Sequence, residues 1–164
     1  MTALPPTDNY LRIVKGAAIF DAHLNKVDSA VFRPRPEDKD TGLSGNWVEY
    51  FNLLTKLQAV EAIWAVHKAK GRSISNTYRL AELNVGDTCA HVLEGIAREI
   101  SFRHHPELKS AGHDFDDPSH SGIHGYAPDD YIIAELISQN VTALYAPPPK
   151  ETPKPQKSAK SDKM

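Results

Sequence analysis

The chain has 164 residues, 40% hydrophobic and 24% charged, enough to build one globular domain with a modest core. Its formal net charge of −2 hides an asymmetry: residues 147–164 carry five lysines against Glu151 and Asp162, so residues 1–146 are net acidic. An acidic body repels a phosphate backbone at long range, which excludes strong non-specific duplex nucleic-acid binding but not a small basic patch for a phosphate-bearing molecule.

Residues 1–9, with Pro5-Pro6, are expected to be a flexible lead-in to a single globular domain over 10–146. Tyr10–Val14, Ala17–Phe20 and Val27–Phe32 read as short β segments. Residues 33–42 hold two prolines, charged side chains and a glycine, and therefore form a polar loop. Residues 46–54 are an irregular or helical approach to the clearest helix. There Thr55 and Gln58 make a capping box, Leu57, Val60, Ile63, Trp64 and His67 recur at helical spacing, and Gly71 supplies the stop.

Alternation predicts a strand over Ser73–Tyr78, whereas Leu80–Leu83 reads as a short helical turn ended by Asn84 and Gly86. Cys89–Leu93 and Glu99–His104 are expected as further strands. Residues 105–127, rich in His, Asp, Gly and Pro, are expected as one long loop. A second helix should run from Pro128 to about Gln139, burying Ile132, Ile133, Leu136 and Ile137. Three prolines at 147–149 close the domain, and the Pro/Lys-rich tail over 147–164 is expected to be disordered. The expected fold class is α+β: a mixed or antiparallel sheet of about five short strands with two main helices.

The single cysteine, Cys89, excludes an internal disulfide framework and a Cys-based zinc finger. The N-terminal residues have neither the basic start nor the apolar run of a signal peptide, and the apolar runs are far too short for a bilayer span. A cytoplasmic protein without a membrane partner is the expectation. No P-loop, Gly-x-Gly-x-x-Gly or RRM-type aromatic signature occurs, which removes the usual dinucleotide and kinase readings and leaves any cofactor unknown.

Two loops concentrate reactive side chains. The first is Phe32-Arg-Pro-Arg-Pro-Glu-Asp-Lys-Asp-Thr-Gly-Leu-Ser44. Arg33 and Arg35 offer guanidinium forks for a phosphate or carboxylate. Asp38, Asp40 and Ser44 offer a base, a metal ligand or a hydrogen bond to a ribose; a solvated turn with internal Arg–Asp pairing explains the same residues equally well. The second is Asp114-Phe-Asp-Asp-Pro-Ser-His-Ser-Gly-Ile-His-Gly125, in which His120 beside Asp and Ser is the candidate general acid or base. Gly122 and Gly125 would let the backbone approach a ligand. Purely structural capping accounts for the same aspartates and serines.

Cys89, His91 and His120, with His104, His105, His113 and His124, are the residue types of a zinc site, and Cys89 and His91 would share a face if they lay on a strand. Their spacings match no metal motif, so a small buried cysteine is the simpler reading. His67 on the apolar stripe reads as a core histidine.

The first loop and the later Asp117-Pro-Ser-His-Ser-Gly-Ile-His-Gly125 resemble a group of small bacterial proteins of uncharacterised function. These share an F-x-x-R-x-x-D-x-D-G-L-S element followed by N-P-x-H-A-x-I-x-G. Here Thr41 is inserted before Gly42, Asp117 stands for Asn and Ser121 for Ala. The resemblance spans roughly residues 29–125. It implies that Arg35, Asp38, Asp40, Ser44 and His120 form one group-wide feature, and it brings no activity with it.

Two functions remain open. One is a hydrolase or transferase acting on a nucleotide, a nucleic-acid end or another phosphate-bearing substrate, with Arg33 and Arg35 on the anion, Asp38 or Asp40 assisting and His120 as acid or base. The other is a non-enzymatic accessory subunit that docks a protein partner through the same loops.

Overall fold

The computed structural model describes residues 1–150. The tail beyond residue 150, expected to be disordered, lies outside the described residues. The strands are β1 (Thr2–Ala3), β2 (Asn9–Val14), β3 (Ile19–Asp21), β4 (Lys26–Val27), β5 (Leu43–Trp47), β6 (Arg79–Asn84), β7 (Ser101–His104), β8 (His120–His124) and β9 (Val141–Tyr145). The α-helices are α1 (Lys56–Ala69), α2 (Val85–Ile96) and α3 (Tyr131–Ser138).

Seven strands form one sheet in the order β1-β7-β8-β5-β2-β6-β9, and every neighbouring pair is antiparallel. β3 and β4 form a separate two-stranded ribbon. The fold is therefore α+β with an antiparallel sheet, as expected, but among the described residues the main sheet has seven strands rather than about five and there are three α-helices rather than two.

Register sorts the side chains by layer. Leu11 pairs with Asn46, which pairs with His120, so these three point to one face. On that face α1 packs Ala59, Val60, Ile63 and Trp64 against Leu11 and Leu80. Tyr10, Leu43, Phe102 and Ile123 line the opposite face beneath Val85, Val92, Ile133 and Ile137 of α2 and α3. Burying aromatic and branched side chains on both faces is the main stabilising term of such a sheet.

Several local expectations are corrected. Val27–Phe32 is mostly a 3-10 turn over Ser29–Phe32, because the Asp28 side chain accepts from the Ala30 N–H and starts it. Arg79–Asn84 is a strand although Leu80-Ala-Glu-Leu83 are good helix formers, since it zips along all six residues of β2. Ser73–Tyr78 is then the connection into it. Cys89–Leu93 is helix: Asn84 caps α2 by accepting from the Asp87 N–H at 2.9 Å, and Val85, Thr88 and Val92 make its buried stripe. The expected loop 105–127 contains β8, and the stretch after residue 42 contains β5. The lead-in is partly anchored, because Thr2–Ala3 pairs with β7 and Leu4 is buried.

Both expected helices are present, and the Thr55–Gln58 capping box is reciprocal at 3.2 Å in each direction. Leu57 and Ile132, expected inside, are each 63% exposed. Among the described residues no helix is long and apolar enough to cross a membrane.

Candidate active site

β5 and β8 lie side by side in the middle of the sheet, with Ser44 opposite Gly122 and Asn46 opposite His120. Ser44, Asn46 and His120 thus stand on one face without any long-range search by a loop. The Ser44 Oγ is 2.8 Å from His120 Nε2. On the other side of the ring, Nδ1 lies 2.8 Å from the main-chain carbonyl of His105. A carbonyl only accepts, so neutral His120 carries its proton on Nδ1 and leaves a lone pair on Nε2. The Ser44 hydroxyl then donates to Nε2, the geometry of a nucleophile beside its base.

His120 is only 3% exposed. Burial pushes its pKa down, and the nearby Glu107 carboxylate partly opposes that shift. Glu107 Oε1 is 3.4 Å from Nε2 and stands ready to pair with the imidazolium formed when the ring accepts a proton.

Beneath the pair lies a polar network. Lys70, capping the C-terminus of α1, places Nζ 2.5 Å from Asp117 and 3.7 Å from Glu107. Asp117 is fully buried, so its charge depends on that partner and on the Asn46 amide, which donates to Asp117 Oδ1 at 2.9 Å. The same amide donates to Ser119 at 2.9 Å, which fixes Asn46 Oδ1 as the acceptor facing His67 Nε2 at 3.1 Å. His67 therefore carries a proton on Nε2. Its pKa is pushed down to about 4, first by burial and then by Arg72 and Lys70. The expectation of a satisfied core histidine holds for Nε2 only, because His67 Nδ1 is buried without a partner.

Two cavities meet at Ser44. One, of about 730 Å³, is lined by Arg12, Lys15, Arg35 and Arg72 together with Ile13, Val14, Val31 and Tyr78. The other, of about 390 Å³, is lined by His120, Lys70, Glu107, Phe115 and Thr41. Arg35, Asp38, Ser44 and Arg72 belong to the walls of both. Among the described residues Arg72 pairs with no carboxylate, which leaves its guanidinium free for an anion.

The Arg33–Gly42 loop reaches the site by close packing. Gly42 takes a φ of 74°, and a side-chain carbon on Gly122 would collide with the Thr41 carbonyl. Gly122 therefore admits the chain's own loop rather than a ligand, and Gly125 likewise lies against the Glu99 carbonyl. Within the loop the Asp38 carboxylate accepts from the Arg35 N–H at 2.7 Å and from its guanidinium at 3.1 Å. That carboxylate is engaged in holding Arg35 at the cleft.

Of the candidate residues, Arg35, Asp38, Ser44 and His120 come together at this site. Asp40 is exposed and lines neither cavity. Arg33 lies over the Tyr131 ring, 5.1 Å from its centroid, and also lines neither cavity. Sequence reading missed Arg12, Lys70, Arg72 and Glu107, which arrive from other elements and belong to no motif.

The metal candidates do not gather. Cys89 sits on α2 with Sγ 3.5 Å from the Ile100 carbonyl, where burial pushes its thiol pKa up. His91 bonds Gln139 at 2.9 Å, and His120 belongs to the serine pair. Two residues apart on a helix, Cys89 and His91 no longer share a face. Among the described residues no three His, Cys, Asp or Glu side chains form a metal-holding group.

No protein-family model, curated protein or solved structure matches this chain.

Proposed function

We propose that the chain is an enzyme, a hydrolase or transferase, acting on a phosphate-bearing substrate, with Ser44 as nucleophile and His120 as general base. The observation that carries this reading is the 2.8 Å contact from Ser44 Oγ to a His120 whose tautomer is set by the His105 carbonyl. Its position at a cleft with four cations supports an anionic substrate.

In the first step the Ser44 oxygen attacks phosphorus while its proton passes to His120 Nε2, and Glu107 pairs with the resulting imidazolium. The bond to the leaving oxygen breaks in line, on the side away from Ser44, and that oxygen takes a proton from solvent. Arg35 and Arg72 neutralise charge on the non-bridging oxygens. Water, or an acceptor hydroxyl in a transferase, then attacks phosphorus from the side the leaving group vacated and gives up its proton to solvent. The seryl–phosphorus bond breaks, and His120 returns its proton to Ser44.

The test is turnover of p-nitrophenyl phosphate esters by the wild type and by Ser44→Ala and His120→Gln, with far-UV circular dichroism as the folding control. Loss of turnover in both folded variants supports the reading. Full turnover in either removes that residue from the mechanism, and loss of folding in His120→Gln makes the histidine structural.

A docking subunit has one observation in its favour. Tyr50, Leu53, Leu54 and Leu57 are all exposed, Leu54 at 96%, and lie within eight residues of one another ahead of and at the start of α1. Under that reading Leu54→Lys with Leu57→Lys abolishes a stoichiometric complex with one protein partner. Under the enzymatic reading the double variant keeps full turnover.

A further inference from the structure

Resting on the phosphate-ester reading, we infer that the substrate is a phosphodiester with an organic arm on each side of phosphorus, not a phosphomonoester. A nucleophile for monoesters suits the blind end of a pocket, because the transferred phosphoryl group is the terminus of its substrate. Ser44 instead stands where two cavities meet, and with Arg35, Asp38 and Arg72 it forms the wall common to both.

Each cavity is large enough for an organic group. Small-molecule sites run from about 300 to 1,000 Å³, and both cavities, at about 730 and 390 Å³, fall in that range. A monoester would fill one and leave the other to water.

The two differ in chemistry. The larger joins an apolar wall (Ile13, Val14, Val31) to the Tyr78 ring and carries four cations against one carboxylate, Asp38. That combination fits a nucleoside-sized arm with a flat ring and an anionic linkage. The smaller balances Lys70, Arg35 and Arg72 against Glu37, Asp38 and Glu107, with Phe115 as its aromatic surface. That wall fits an uncharged arm. The phosphorus between them needs only the charge of a diester neutralised, which Arg35 and Arg72 supply from the shared wall.

The experiment compares kcat/KM of the full-length protein for bis(p-nitrophenyl) phosphate and for p-nitrophenyl phosphate. A diester preference of at least about tenfold is expected, since filling one more pocket with an apolar group is worth that much in discrimination. Ala18→Leu, which narrows the larger cavity, should cut the ratio of diester to monoester turnover. Equal turnover or a monoester preference overturns the inference and leaves the Ser44–His120 enzyme standing. Hydrolysis of neither ester overturns both.

Discussion

His120 donates its Nδ1–H to the main-chain carbonyl of His105 at 2.8 Å, and so presents Nε2 to Ser44 as an acceptor. The carbonyl does what a carboxylate does in the familiar triad as far as orientation and tautomer are concerned. It carries no net charge, however, so stabilising the protonated ring falls to Glu107 at 3.4 Å. Orientation and charge compensation are thus divided between two residues.

The first consequence concerns rate. His120→Gln keeps a polar side chain of similar volume and removes the base, so kcat should fall by about 10²–10⁴-fold with little change in KM. A fall in substrate affinity with kcat intact would mean that His120 binds rather than activates.

The second concerns pH. Burial holds His120 below the ordinary histidine value, so the ring stays unprotonated and competent through neutral pH. The acid limb of kcat/KM should therefore have its midpoint below about 6.5, with activity lost as pH falls through it. Glu107 raises that value, so Glu107→Gln should move the limb to still lower pH while reducing kcat. An unmoved limb would show that another group is titrating.

The third concerns stability against acid. His67 is depressed to about 4 in the folded chain, chiefly by burial. Between that value and about 6.5 the unfolded chain binds the extra proton, so stability is present above 6.5 and is lost as pH falls towards 4. The His67 contribution is roughly 3 kcal/mol over that window. Urea midpoints measured from pH 7 to 4 should slope less steeply in His67→Gln, and an unchanged slope would contradict the assignment. His120 and His124 are also held low by burial, so some slope remains.

The fourth concerns the ion pair that joins α1 to the site. Lys70→Met leaves Asp117 buried without its counter-charge and should destabilise the fold by about 3–5 kcal/mol. Adding Asp117→Asn should restore part of that loss, because the uncompensated charge is then gone. A double variant no better than the single one would mean that packing, not charge, is what Lys70 provides.

How much of this was legible in the residues differs by level. The helix from Lys56 was readable because Thr55 and Gln58 signal its start locally and Gly71 its end. Strand β6 was not, because Leu80-Ala-Glu-Leu83 has helical propensity and is held extended by pairing with β2 on one side and β9 on the other, both partners distant in sequence. Strand β8 hid inside a polar stretch for a similar reason. His120, Ser121 and Gly122 are poor strand signals, yet all three are buried between β5 and β7, with the Thr41 carbonyl against Gly122.

At the site, the residue types of the two loops pointed to Ser44 and His120, but only the antiparallel register of β5 and β8 places them in contact. Asp38 read equally as a base or as the partner of a loop arginine, and it pairs with Arg35. Lys70 and Arg72 follow a helix end with no motif around them, so nothing local could have pointed to them.

The most direct test of the central claim is covalent capture of Ser44. The protein is treated with a fluorophosphonate ester, and the adduct is located by peptide mass spectrometry in the wild type and in His120→Gln. An activated serine predicts a single phosphonyl adduct on Ser44, formed much more slowly when His120 is replaced. Absence of an adduct on Ser44, or labelling as fast in the variant as in the wild type, would contradict the proposed nucleophile and base.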